Sequence, residues 1–223
     1  VHGIGNKTGD PLTTHPDTPI VSFTGGTVTG KHIATVTAPM FKKLSLELGG
    51  KNPNIIMSDA DLEIAIPGVI DGMRYTRQGQ ACTAGSRVYI HEKIYDKVLE
   101  GAVEKLSKLK MGNALDENSD IGAIISEDQL NRTLYYMDIA KKNSSTKILH
   151  GGNQSIGGEY KDGFYYQPTL LSGLPENSPV CQEEVFGPVA CAIPFRSFDE
   201  VMKSANDTQF GLSAVLWTKD LSR

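Results

Sequence analysis

The stretch Pro19-Ile20-Val21-Ser22-Phe23-Thr24-Gly25-Gly26-Thr27 decides the fold, because a short apolar, β-branched run leads directly into a pair of glycines. This order predicts a strand, a tight turn and then a helix over residues 27–38. Runs of the same kind predict further strands at 43–47, 54–57, 87–90, 147–149, 189–195 and 213–217. Because helical patterns separate most of these strands, the sequence predicts an α/β fold with a mostly parallel sheet.

Helical patterns mark four further segments. An acidic cap at Asp61 precedes the first, and apolar residues recur at helical spacing between Ile94 and Leu109 in the second. The remaining two helices are predicted at 127–142 and 198–206. The glycine pair at 49 and 50 separates two chemically different stretches, so we place a domain junction there.

Composition narrows the class of partner. The chain has 223 residues, of which 39% are hydrophobic, and a formal net charge of −4. Its basic residues are scattered, which argues against nucleic acid and membrane as partners and favours a small-molecule substrate. No apolar run approaches the roughly 20 residues that span a bilayer. The first residues also show no pattern of a secretory signal.

Three cysteines, at positions 82, 181 and 191, form no CxxC pair and have no histidine cluster beside them. This spacing supports neither a disulfide framework nor a metal site. We therefore expect a reducing compartment and a cytoplasmic location, with the mitochondrial matrix as the open alternative. Cys181 and Cys191 are predicted to be packing residues, so that only Cys82 requires another explanation.

Cys82 lies among small neighbours, in Gly79-Gln80-Ala81-Cys82-Thr83-Ala84-Gly85, where a thiol can be reached by a substrate. Glu47, upstream at the end of a predicted strand and before two glycines, is a candidate base for it. This pair of residue types indicates covalent catalysis by a thiol. The alternatives stay open at this point: Cys82 as a small buried hydrophobe, and Glu47 as a solvated or salt-bridged carboxylate.

Two further clusters suggest a nucleotide. Gly25, Gly26 and Gly30 follow a strand and open a helix, where backbone N–H groups can face a phosphate, although a tight turn explains them equally well. Glu184 and Phe186 stand two residues apart. In an extended segment they would share one side, where the acid can hold a ribose hydroxyl and the aromatic can pack on a flat ring. A solvated turn is the alternative.

Four segments resemble signature segments of the aldehyde dehydrogenase superfamily. They are Ser22-Phe23-Thr24-Gly25-Gly26, Leu46-Glu47-Leu48-Gly49-Gly50-Lys51-Asn52-Pro53, Gly79-Gln80-Ala81-Cys82 and Glu183-Glu184-Val185-Phe186-Gly187-Pro188. They occur in the family's order. The resemblance implies part of a Rossmann-like cofactor domain over residues 1–50, followed by most of an α/β catalytic domain over 51–223 that is incomplete at its C-terminus.

The resemblance also implies roles for the two reactive residues. Cys82 would attack the aldehyde carbon, and the hydride of the resulting thiohemiacetal would pass to NAD or NADP. Glu47 would activate the water that hydrolyses the remaining thioester to a carboxylic acid. The backbone N–H of Cys82 would be one donor to the oxyanion.

The cofactor residues follow in the same way. Gly25, Gly26 and Gly30 would line the pyrophosphate, Gly5 and Gly9 would lie near the adenine, and Glu184 and Phe186 would hold the nicotinamide ribose. The family commonly has serine where this chain has Gly26, which removes one hydroxyl but leaves a backbone N–H.

Finally, the resemblance implies that both ends of a longer protein are missing. We therefore expect the chain alone to fold poorly and to have little activity, and the full-length form to be a homodimer or homotetramer that acts on a small aldehyde. Two other functions stay open: a non-catalytic chain that keeps the aldehyde dehydrogenase fold, and a cofactor-free thiol hydrolase or acyltransferase.

Overall fold

The computed structural model describes residues 1–222 and divides into two compact units, Val1–Gly49 and the chain from Gly50 onward. The sequence placed the domain boundary after Gly50, one residue later than the boundary between these two units. The assignment of the two units to a cofactor-binding and a catalytic domain stays a prediction.

The first unit is a β-α-β element preceded by short helical turns. Its elements are a π-helical turn (Gly5–Gly9), α1 (Asp10–Thr14), β1 (Ile20–Thr24), α2 (Thr27–Thr37), a 3-10 turn (Ala38–Met40) and β2 (Lys43–Glu47). The two strands are parallel, with Ile20 opposite Lys43 and Thr24 opposite Glu47. Their carboxyl ends therefore lie together, next to the start of α2.

The second unit is built on a six-stranded sheet. In chain order its strands are β3 (Pro53–Ile56), β4 (Arg87–His91), β5 (Lys147–His150), the short β6 (Gln154–Ser155) and β7 (Tyr165–Tyr166), β8 (Thr169–Ser172), β9 (Val189–Phe195) and β10 (Val215–Trp217). The order across the sheet is β10-β3-β4-β9-β8-β5, while β6 and β7 form a separate antiparallel pair. Only β5 runs antiparallel to its neighbour in the six-stranded sheet.

The helices of this unit are α3 (Leu62–Gly72), α4 (Tyr95–Lys108), α5 (Glu127–Lys142), α6 (Pro179–Gln182) and α7 (Phe198–Asn206). Local caps explain where three of them begin. Asp61 accepts a hydrogen bond from the N–H of Glu63, Ser126 from that of Gln129, and Ser197 from that of Glu200. Such caps satisfy N–H groups that have no partner inside a helix.

Apolar clusters lie on both faces of the sheet. Two neighbouring residues of β3 belong to different clusters. Ile56 packs in the cluster with α3 and α4, whereas Ile55 packs with Val201 of α7. Successive side chains of a strand point to opposite faces, so α3 and α4 cover one face and α7 covers part of the other. Burial on both faces explains why strands such as β9 read as almost continuous apolar runs.

The predicted α/β fold with a mostly parallel sheet is confirmed. Strand β8, between β9 and β5, was not predicted, and some boundaries shift. The strand predicted at 213–217 begins only at Val215, because the N–H of Ser213 donates to the side chain of Asn52 (3.0 Å) instead of joining the sheet. None of the helices among residues 1–222 is long and apolar enough to cross a membrane.

Candidate active site

Cys82 lies in a turn that leads into β4. The N–H of Ala84 donates to the carbonyl of Ala81 (3.1 Å), which closes the turn and places Cys82 and Thr83 at its two central positions. Cys82 is partly exposed and Thr83 is exposed. In contrast, Cys181 and Cys191 are each 1% exposed, which confirms them as packing residues.

Asn52 holds this turn in place. Its side-chain Nδ2 donates to the carbonyls of Cys82 (2.7 Å) and Ala84 (3.0 Å), while its Oδ1 accepts from the N–H of Ser213 (3.0 Å). The residue is only 3% exposed, and its bond to the carbonyl of Ala84 is fully buried. The sequence contained Asn52 within a signature segment but did not indicate its role.

Gly50 joins the turn of Cys82 to Glu184. A Cβ at Gly50 would lie 2.3 Å from the carbonyl oxygen of Cys82, so a larger residue would displace the turn. The N–H of Gly50 donates to Oε1 of Glu184 (3.0 Å). Two of the predicted site residues, Cys82 and Glu184, are therefore brought together by Gly50, which the sequence marked only as part of a domain junction.

The loop from Glu183 to Pro188 is anchored from helix α5. Gln129 Nε2 donates to the carbonyls of Val185 (3.0 Å) and Phe186 (2.8 Å), and Arg132 Nε donates to the carbonyl of Glu184 (3.2 Å). Sequence reasoning missed both residues, since no local signal links α5 to a loop about fifty residues away.

The extended geometry expected for Glu184 and Phe186 is wrong at Phe186, whose φ of 57° lies in the left-handed region. The alternation of an extended strand therefore does not govern the side chains of these two residues. Their cofactor roles stay predictions.

The interior around this loop is tightly filled. The cavity bordered by Gly50, Ala81, Ala84, Glu184 and Phe186 measures only about 10 Å³, which is at the lower limit for one water molecule. Two larger concavities, of about 410 and 490 Å³, are bordered by other residues and include neither Cys82 nor Glu184. The volume of the cavities alone therefore does not identify the position of the predicted nucleophile, Cys82.

Lys51 is buried directly after Gly50. It is 2% exposed, and among residues 1–222 its Nζ has no hydrogen-bond partner. Burial lowers the pKa of this ammonium below its usual value, while the nearby thiols of Cys191 and Cys181 act in the opposite direction. Within the described residues, no group of three or more His, Cys, Asp or Glu side chains is arranged to hold a metal ion.

The glycines of the first unit have different surroundings. The N–H of Gly25 already donates to the carbonyl of Glu47 (3.0 Å), and a Cβ at Gly30 would lie 2.4 Å from the side chain of Leu48. Gly26 is the N-cap of α2, and a Cβ added there would meet nothing within 4 Å. The residues present therefore fit a phosphate at the open N-terminus of α2.

The remaining predicted residues lie in the first unit as well. Glu47 is exposed at the end of β2. Gly5 and Gly9 bound the π-helical turn, and a Cβ at either would meet nothing within 4 Å. The structure thus gives no steric reason for glycine at positions 5 and 9, and their assignment to the adenine end stays a prediction.

Comparison with known proteins adds independent information. The family model described as "Aldehyde dehydrogenase family" matches residues 1–223. A 2-aminomuconic semialdehyde dehydrogenase from Danio rerio is 39% identical over 232 residues, which cover 100% of this chain and 46% of that protein. A D-glyceraldehyde dehydrogenase (NADP(+)) from Picrophilus torridus is 38% identical over 221 residues, which cover 99% of this chain and 44% of that protein.

A solved structure agrees in fold. The NAD+ complex of an aldehyde dehydrogenase from Bacillus cereus superposes with a TM-score of 0.92 at 38% identity, covering 99% of this chain and 44% of that chain. The chain therefore spans less than half the length of the relatives that it matches.

Proposed function

The chain belongs to the aldehyde dehydrogenase family, and we propose that it carries the nucleophile, the general base and part of the NAD(P) site of an enzyme that oxidises an aldehyde to a carboxylic acid. The observation that carries this proposal is that Gly50 contacts both the turn of Cys82 and the side chain of Glu184. There the turn of Cys82 and the carboxylate of Glu184 meet, which supports a reactive thiol beside a group that can hold a cofactor ribose.

In the first step, the thiol of Cys82 releases its proton to water and Sγ forms a bond to the aldehyde carbon, while the π bond of the carbonyl group breaks and its oxygen gains negative charge. The backbone N–H of Cys82 is one donor to that oxygen. In support, this N–H has no acceptor among residues 1–222, so it is free to bind a substrate atom.

The cofactor, when bound, supplies the acceptor for the hydride that leaves the substrate carbon. Glu184 would accept hydrogen bonds from ribose hydroxyls, and Phe186 would pack against the ring system. The open N-terminus of α2 at Gly26 would face a phosphate, because helix N-termini favour anions. Gly25 and Gly30 would shape the backbone next to it, and Gly5 and Gly9 would lie toward the adenine.

Loss of the hydride leaves a thioester on Cys82. We assign its hydrolysis to Glu47, which takes a proton from the attacking water. The carbon–sulfur bond then breaks, the carboxylic acid leaves and the thiol of Cys82 is restored. The name of the relative from Picrophilus torridus specifies NADP(+), and the solved structure from Bacillus cereus contains NAD+, which supports a nicotinamide cofactor for this chain as well.

The test is aldehyde-dependent reduction of NAD+ or NADP+ by the whole protein that carries this chain. We expect Cys82→Ala to abolish turnover, and Glu47→Gln to lower kcat by about 10²–10⁴-fold, the usual contribution of a general base. Cys181→Ala is the matched control, since it removes a buried thiol of the core. Turnover that survives Cys82→Ala, or that fails equally in Cys181→Ala, would refute the assignment.

A further inference from the structure

Tyr136 occupies an unusual position on helix α5. Its hydroxyl donates to Oε2 of Glu183 (2.7 Å) and accepts from Nη2 of Arg132 (3.3 Å). The guanidinium carbon of Arg132 also lies 5.3 Å from the centroid of the Tyr136 ring, within the range of a cation–π contact. One tyrosine hydroxyl thus contacts both a carboxylate and a guanidinium group.

These contacts reach the loop that carries Glu184. Tyr136 holds the side chain of Glu183, and Arg132 donates to the carbonyl of the next residue, Glu184. Together they fix two consecutive residues at the point where the chain leaves α6. The loop needs such anchors, because Phe186 adopts a left-handed conformation that costs on the order of 1 kcal/mol or more in a non-glycine residue.

The tyrosine is well suited to act as a permanent donor. Its side chain is buried at 2% exposure, and burial raises the pKa of Tyr136 to about 12, with the hydrogen bond to Glu183 acting in the same direction. The hydroxyl therefore stays protonated at neutral pH. Its hydrogen bond to Glu183 is charge-assisted, which makes it stronger than a bond between neutral groups.

We propose that Tyr136 and Glu183 are positioning residues for the cofactor site. Their contact directs Arg132 to the carbonyl of Glu184, so that the Glu184 carboxylate stays at the N–H of Gly50, in reach of a ribose. This inference rests on the proposed function. Tyr136 and Glu183 take no part in the reactions of Cys82 or Glu47, because they act only through the loop that carries Glu184.

The test is Tyr136→Phe in the whole protein, which removes the hydroxyl and keeps the ring. We expect the dissociation constant of NADH, measured by nicotinamide fluorescence, and the KM of the oxidised cofactor to rise about 3- to 10-fold, the loss of one such hydrogen bond. The KM of the aldehyde and the iodoacetamide labelling rate of Cys82 should not change. Tyr135→Phe is the matched control, because this neighbour is 60% exposed and loses the same hydroxyl.

Substitutions of Glu183 provide a second test of the same contact. Glu183→Ala should weaken cofactor binding as much as Tyr136→Phe does, and the double variant should be no weaker than either single variant, since both break one contact. Glu183→Gln keeps an acceptor for the hydroxyl and should restore most of the affinity relative to Glu183→Ala.

Cofactor affinity that is unchanged in a folded Tyr136→Phe protein would overturn the positioning role alone. A parallel rise in both KM values together with a lowered melting temperature would also overturn it, because that result indicates a general loss of structure. Absence of any NAD(P) binding by the unmodified protein would instead overturn the proposed function, and this inference with it.

Discussion

At the scale of single residues, the side chain of Asn52 connects distant parts of the site. One carboxamide connects the turn of Cys82 with Ser213, which are 30 and 161 residues away in the chain. A buried polar group left without its partner costs about 1–3 kcal/mol, so the network depends on every one of its bonds.

Replacing this side chain should therefore lower stability. We expect Asn52→Ala to reduce the free energy of unfolding by about 1–3 kcal/mol, because it leaves the N–H of Ser213 and the carbonyl of Cys82 without their partner and removes one of the two donors to the carbonyl of Ala84. Urea unfolding followed by circular dichroism measures the change. Asn153→Ala, at an exposed position, is the control and should shift the midpoint little. Equal midpoints for the two variants would contradict the role of Asn52.

The three thiols should also differ in reactivity. Cys82 is partly exposed in its turn, whereas Cys181 and Cys191 are each 1% exposed. We expect iodoacetamide to label Cys82 first in the folded protein, because the two core thiols become accessible only on unfolding. Peptide mass spectrometry after brief labelling gives the order, and equal labelling of all three would exclude a privileged thiol at position 82.

At the scale of elements, two glycines allow the loops of the site to cross. Gly79 has a φ of 64°, and a Cβ there would lie 2.2 Å from the carbonyl oxygen of Gly187. A Cβ at Gly187 would in turn lie 2.4 Å from Oγ1 of Thr133 on α5. The segment before Cys82, the loop after Glu184 and helix α5 thus pack too closely to leave room for a Cβ at either glycine.

A substitution pair separates crowding from backbone strain. Gly158 shares a positive φ, of 53°, but a Cβ there would meet nothing within 4 Å. We expect Gly158→Ala to cost about 1 kcal/mol from strain alone, and Gly79→Ala to cost about 2–4 kcal/mol because a clash with fixed backbone is added. Chemical denaturation measures both values. A Gly79→Ala protein as stable as Gly158→Ala would show that the loops have room to separate.

At the scale of the whole molecule, the sheet of the second unit ends in two edge strands. The strand at one edge, β10, leaves Val215 and Leu216 exposed at 39% and 37%, and Phe41 in the first unit is exposed at 95%. Unpaired strand edges with exposed apolar side chains favour association with other chains.

We therefore expect the 223-residue chain by itself to associate and to oxidise aldehydes poorly. Light scattering as a function of concentration, together with an NAD+ reduction assay, tests both points on one sample. A monodisperse monomer whose turnover is lost on Cys82→Ala would show that the chain is sufficient for the activity.

Most of the order of elements was predictable from the sequence alone, although β8 and the short elements α1, α6, β6 and β7 were not predicted. The strand at 43–47 and the helices at 127–142 and 198–206 lie where periodicity placed them, because the spacing of apolar residues and the capping side chains are local properties. The burial of Cys181 and Cys191 and the family itself were likewise predictable, the latter from four short segments in the right order.

Only the tertiary structure decided how the site is assembled. Gly50 between Cys82 and Glu184, Asn52 on the turn of Cys82, and Tyr136 with Arg132 on the loop of Glu184 join residues that are 30 to more than 130 positions apart in the chain. Such contacts depend on the order of strands across the sheet and on which helix covers which face. Local sequence patterns contain no information on either, because periodicity describes one element at a time.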